Sequence, residues 1–319
     1  MPFSRRDFTS SVIAAALAPT FARAQSAGRD IVVIARGGAV GDAPAETRGA
    51  YDQAIRDGAD FLQADLAITK DGVLIARRDR ELSGSTDVAA RTEFAARRTT
   101  KTVDGGTRAG WFAEDFTLAE LKTLVSGPLG ARRAKDQAPP SILTLRELIE
   151  TARAGCVRTA RTIGIYAGLP DPASFAGSTL PLEPRLAETI IRGGYNAAAA
   201  ALLIESPDAG ALKSLARLTR ARRILRLGAD ASIDLTGARA VAHGVAPDFA
   251  RILDLSNPRR PMATPFTARA RAAGLTVHAW AAPGDPQSLM EAALAAGADG
   301  LCADLARPAA RARGKFAAA

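Results

Sequence analysis

Short apolar runs alternate with amphipathic stretches from residue 30 onward. The runs at 31–35, 60–66, 163–166, 201–205, 223–227, 275–280 and 299–303 are aliphatic, partly β-branched and bounded by Gly or Asp, as buried strands are. Between them, 47–57, 143–154, 185–192, 208–218, 265–273 and 287–296 carry apolar positions three and four apart, which predicts helices. One strand is poorly marked, and "GVAPD" (Gly244 to Asp248) is its best candidate. Strand–helix alternation sustained over about 280 residues implies a parallel sheet, and this length favours a closed TIM-type (β/α)8 barrel.

Residues 80–140 break the rhythm. They are rich in Arg, Thr, Gly and Ser, end in "AKDQAPPS", and carry one short helical pattern around Leu118–Leu124. They read as an insertion laid over one barrel face rather than a separate core. It follows a hairpin: "FLQADLAITKDGVLIARRD" contains Asp71-Gly72, the strongest two-residue turn signal. A two-residue loop there places Asp65 opposite Arg78 and Ile68 opposite Ile75, so an Asp65–Arg78 ion pair is expected. Gln63 and Asp65, two apart, share one face. The Arg/Ala-rich tail at 309–319 reads as flexible.

Composition narrows the classes. The chain is 47% hydrophobic and 24% charged with a formal charge of +9, and setting aside residues 1–24, with Arg5, Arg6, Arg23 and Asp7, leaves +7. Aromatics make up only 5% and no basic block is interleaved with them, so the charge reads as arginines spread over helix faces and no nucleic-acid partner is expected. No apolar run reaches the roughly 18 residues of a transmembrane helix. Cys156 and Cys302 form neither a metal motif nor a disulfide framework and are expected to be free thiols.

The first 24 residues read as an address. "SRRDF" precedes a modest apolar segment and then Ala22-Arg23-Ala24, which gives a charged region, a hydrophobic region and an A-x-A site. The Arg5-Arg6 pair is that of a twin-arginine signal. Cleavage near Ala24 and a periplasmic location are expected.

The ordered set "ARGG" with "PAET", "GADFLQADLAITKDGVLIARRD", "STDVAAR", "DFTLAELKTL", "IGIYAGLP", "LLIESPDAGALKSL", "VAPD", "GLTVHAWA" and "GADGLCADL" resembles glycerophosphodiester phosphodiesterases, particularly the periplasmic type. The likeness runs over residues 31–308, within a barrel spanning 30–308. It implies a site at the C-terminal ends of the strands and cleavage of a glycerophosphodiester to glycerol 3-phosphate and an alcohol. That chemistry uses two histidines for proton transfer and Ca2+ or Mg2+ held by carboxylates.

Laid on this chain, the resemblance puts the first histidine at Ala35 and the second at Arg78. The Glu-x-Asp metal pair falls on Gln63 and Asp65, and a further metal carboxylate on Gly168. Pro44-Ala45 takes the place of a Pro-Glu pair, with Glu46 one position late. Arg36, matching a phosphate-contacting arginine, and Asp65 remain. Alanine transfers no proton, and an arginine with a pKa above about 12 is no base at neutral pH. Asp65 beside a guanidinium is a poor divalent-cation ligand, so no metal cofactor is expected. Loss of each acid or base typically costs about 10²–10⁴-fold in rate.

The expectation is therefore a catalytically degraded barrel that binds a small phosphate or phosphodiester through Arg36, Arg78, Asp65 and Glu205. An active hydrolase is the alternative, with Ca2+ or Mg2+ and a site rebuilt from Asp65, Glu205, Glu46 and a histidine. A protein that binds an unidentified partner through 80–140 is a third. His278 reads as packing at a strand end, His243 as a loop residue, and Tyr166 and Trp280 as either mouth or core. Glu205 either replaces a lost carboxylate or caps the next helix with Asp208. No Gly-x-Ser-x-Gly elbow, Walker loop or zinc spacing occurs.

Overall fold

The computed structural model describes residues 30–103, 106–127, 140–175, 179–228, 233–257 and 260–318. The expected export signal at 1–24 lies outside them. Eight parallel strands carry the fold: β1 (Val32–Arg36), β2 (Phe61–Ile68), β3 (Gly164–Gly168), β4 (Leu202–Ser206), β5 (Arg222–Arg226), β6 (Gly244–Ala246), β7 (Thr276–Trp280) and β8 (Gly300–Ala303). Each pairs with the next, and β8 pairs back onto β1 to close the barrel. The weakly marked "GVAPD" strand is β6.

A helix follows every strand. These are α1 (Arg48–Arg56), α2 (Leu145–Thr159), α3 (Leu182–Arg192), α4 (Ala209–Leu218), α5 (Leu235–Val241), α6 (Phe266–Ala272), α7 (Gln287–Ala295) and α8 (Ala306–Ala318). Caps fix several starts. Thr144 and Glu147 form a reciprocal capping box at α2, and Asp208 accepts from Gly210 and Ala211 at α4.

Strand alternation sorts the core into two layers. Val33, Ala35, Leu62, Ala64, Ile165, Ala167, Ile204, Ala279 and Leu301 pack outward among the helices. Ile34, Phe61, Tyr166, Leu203, Ile224, Trp280 and Cys302 fill the barrel interior. Counting in twos along each strand therefore aims Arg36, Gln63, Asp65, Gly168, Glu205 and Arg226 inward at the C-terminal end.

Three sequence expectations need correction. The hairpin has a three-residue loop, Lys70-Asp71-Gly72: the Thr69 N–H donates to the Val73 carbonyl, and Gly72 sits at φ +79°. Pairing becomes Leu66 with Ala76, Ala67 with Ile75 and Ile68 with Leu74, so Arg77, not Arg78, lies opposite Asp65. The 80–140 insertion has a small core of its own, in which Leu82, Val88, Phe94, Phe116, Leu121 and Leu124 pack on Ala67 and Ile75 of the hairpin. The tail is the helix α8, held by buried Ala309 and Ala312 and by an ion pair from Arg313 to Asp60. Cys156 and Cys302 are free thiols.

Candidate functional site

The first loop takes its shape from its glycines. Gly37 and Gly38 both have positive φ, and a Cβ on Gly38 would stand 2.6 Å from the Ala50 carbonyl carbon, so α1 packs there only against glycine. Glu46 closes the loop: its N–H donates to the Gly37 carbonyl at 2.8 Å, and its own φ is +59°. Its carboxylate reaches inward, where Oε2 accepts the Arg78 N–H at 2.8 Å. Burial pushes this carboxyl up to about 7, against the pull of nearby Arg77.

Arg36 is buried at the end of β1, and its Nε donates to Asp304 Oδ1 at 2.6 Å. Its Nη2 is buried without a hydrogen-bond partner among the described residues. Ala35, the position matched to a first histidine, is fully buried among the outward-facing residues. Arg78, matched to the second, has its side chain 53% exposed and its Nε 3.9 Å from Asp65 Oδ2. The expected Asp65–Arg78 pair therefore forms, at long range, from the hairpin's edge rather than from the directly opposite position.

Asp65 is turned toward Gln63 and Gly168. Gln63 Nε2 donates to Asp65 Oδ1 at 2.8 Å. A Cβ on Gly168 would lie 2.3 Å from that same oxygen, so Asp65 occupies the room a side chain at 168 would need. Burial raises the Asp65 carboxyl, while Arg226 and then Arg78 draw it down. Glu205 sits inside the barrel, and Asp208 does the capping. Burial lifts Glu205 to about 8, opposed first by Arg226. Its Oε1 lies 3.7 Å from Arg226 Nε, and its Oε2 makes no geometrically good hydrogen bond among the described residues.

The guanidinium of Arg226 lies 3.9 Å from the Trp280 ring centre, and that of Arg36 lies 5.2 Å from it. Arg226 and Asp304 were not among the residues expected from sequence. Two-residue counting from Ile224 and Cys302 would have found both.

A cavity of about 280 Å3 opens at this end, at the small end of ligand-sized clefts. Asp65, Arg78 and Arg226 line it from the barrel, Arg80 and Arg108 from the insertion, and Phe175 from the loop after β3. The insertion thus covers the mouth.

The chain's two histidines lie elsewhere. His278 is buried in β7, its Nδ1 3.3 Å from the Tyr166 hydroxyl, and burial together with Arg222 lowers it to about 4. His243 precedes β6, at the opposite end of the barrel, where its Nδ1 accepts the Arg223 N–H. Tyr166 packs in the interior, edge-on to Phe61. No helix among the described residues is long and apolar enough to cross a membrane.

Comparison with known proteins bears on this arrangement. The model of the glycerophosphoryl diester phosphodiesterase family matches residues 37–306. A glycerophosphodiester phosphodiesterase of Arabidopsis thaliana is 30% identical over 278 residues, covering 77% of this chain and 72% of the relative. One from Haemophilus influenzae is 37% identical over 95 residues, covering 30% of this chain and 24% of that protein. Among solved structures, an Oleispira antarctica phosphodiesterase in complex with the product sn-glycerol-3-phosphate superposes with a TM-score of 0.65 at 20% identity, over 89% of this chain and 96% of that one. A glycerophosphodiester phosphodiesterase of Agrobacterium tumefaciens gives 0.62 at 20% identity, over 88% and 99%.

Proposed function

This chain belongs to the glycerophosphoryl diester phosphodiesterase family, and from that premise we propose that it is an exported member that binds a phosphate or phosphodiester at the barrel mouth without cleaving it by the two-histidine route. One observation carries the reading: the cationic groups gathered around Asp65 are guanidiniums, Arg36, Arg78 and Arg226, and neither histidine reaches them. Guanidiniums bind phosphate oxygens in pairs but do not exchange protons at neutral pH. The solved relative that holds glycerol 3-phosphate supports the ligand class.

A divalent cation does not fit this donor set. Such ions want several anionic oxygens. Here one oxygen of Asp65 is taken by the Gln63 amide, the other faces Arg78, and Glu205 faces Arg226. Position 168 offers no side chain. No step is routed through a metal.

Incubating the full chain with glycerophosphocholine, with and without Ca2+ or Mg2+, is expected to release no glycerol 3-phosphate. Calorimetric titration with glycerol 3-phosphate is expected to show binding that Arg36→Ala weakens. Appreciable turnover, or no binding, would sink the proposal. Export rests on Arg5-Arg6, and changing the pair to Lys-Lys should leave the precursor in the cytoplasm.

A second reading has its own support. Glu46 near 7 and Glu205 near 8 are poised where general acids and bases work. Hydrolysis by these carboxyls would appear as turnover that needs no metal and is lost in Glu205→Gln.

A further inference from the structure

Arg226 has a setting unlike those of Arg36 and Arg78. Arg36 is buried with its Nε on Asp304, and Arg78 is half-exposed and 3.9 Å from Asp65. Arg226 ends β5 with one face 3.9 Å from the centre of the Trp280 ring and its Nε 3.7 Å from Glu205. It lines the cavity together with Asp65. The aromatic face and the carboxylate limit the rotamers open to a long side chain, which lowers the entropy lost when it meets a ligand.

We propose that the Arg226 guanidinium stands in for a divalent cation in this chain: set beside Glu205 and over Trp280, in the cavity it lines with Asp65, it receives the phosphate of the ligand directly. This rests on the phosphate-binding reading above and names the group that does the binding. A fixed positive charge beside two inward acidic side chains supplies what a cation supplies there, which is attraction for an anion. It also supplies what a spherical ion does not, a planar fork that pairs with two phosphate oxygens. The neighbouring changes agree. Gln63 puts an amide donor on Asp65 Oδ1, and that oxygen lies in the space over Gly168. The pocket is rebuilt around an internal cation rather than merely stripped of ligands.

The test is calorimetry on the full chain with glycerol 3-phosphate as probe, once in EDTA and once in excess Ca2+ or Mg2+. The wild type is expected to bind equally in both. Arg226→Met should bind more weakly by about 10- to 100-fold, the usual worth of a charged hydrogen-bonded contact. Arg226→Lys, which keeps charge without the fork, should fall between, and thermal melts establish that both variants fold. Titration with Ca2+ or Mg2+ alone should give no saturable heat. Affinity that appears only with the metal, or that survives Arg226→Met, overturns the proposal while leaving phosphate binding intact. So does saturable Ca2+ binding that Asp65→Asn abolishes. A wild type that ignores glycerol 3-phosphate in both buffers overturns the binding reading and this proposal with it.

Discussion

Arg226 lies with its guanidinium carbon 3.9 Å from the centre of the Trp280 ring, and both residues end strands that face the barrel interior. A guanidinium over an indole is worth about 0.5–2 kcal/mol, more as water is excluded. Trp280→Leu removes the face that holds Arg226 and should weaken glycerol 3-phosphate binding by about 2- to 30-fold. Trp280→Phe keeps a π face and should stay closer to wild type. Calorimetry on the two variants decides the matter, and equal affinities would mean that the stack positions nothing.

Arg77 and Arg78 should separate sharply in a stability assay. The Arg77 N–H donates to the Asp65 carbonyl, and its buried side chain donates from Nη2 to the Ser85 carbonyl at 2.6 Å. Arg77→Ala deprives Ser85 of that donor and removes the positive charge that most opposes the effect of burial on Glu46. The expected cost is about 1–3 kcal/mol. Arg78 is half-exposed and its ion pair is long, so Arg78→Ala should cost less than about 1 kcal/mol. Urea unfolding curves of the two variants check this, and the reverse order would contradict the register described for the hairpin.

That register shows where the sequence stopped being legible. Asp71-Gly72 marks a turn unambiguously but does not distinguish a two-residue loop from a three-residue one, because Gly72 supplies the positive φ for either. One residue of slip moved the position opposite Asp65 from Arg78 to Arg77. The strands themselves were readable because their apolar runs are long and bounded. Helix α8 was not, since its buried contacts are alanines, Ala309 and Ala312, whose small side chains give a weak periodic signal among arginines. The expectation that 35, 63, 78 and 168 depart from the family pattern came only from the resemblance. Arg226 escaped it because its partners, Glu205 on the neighbouring strand β4 and Trp280 on β7, are distant in sequence and only strand pairing and the curvature of the sheet bring them together.

The pH dependence of stability should carry the mark of Glu46. Burial raises its carboxyl to about 7 from an ordinary 4.5, so the folded chain holds a proton that the unfolded chain releases earlier. Stability from this group is complete below pH 4.5 and declines as pH rises to about 7, by at most about 1.4 kcal/mol per pH unit. Glu46→Gln keeps an oxygen for the Arg78 N–H and cannot titrate. Its stability relative to wild type should therefore rise across that window and level off above it. Thermal melts at a series of pH values measure this, and parallel profiles for the two proteins would show that Glu46 titrates normally.

A histidine placed at position 35, where the resemblance puts the first one, is not expected to yield phosphodiesterase activity. Ala35 is fully buried beside Val33 in the layer between strands and helices, and its strand neighbours are Ala303 and Leu62. An imidazole there is an overpacking substitution, which typically costs about 1–3 kcal/mol, and it would bury polar nitrogens in a largely apolar layer. Ala35→His is thus expected to lower the melting temperature and to leave glycerophosphocholine intact. Adding Arg78→His should not change that, because Gln63 and Gly168 still offer no carboxylate to a cation and Arg226 still stands against Glu205. Measurable release of glycerol 3-phosphate from the double variant in Ca2+ would contradict this expectation.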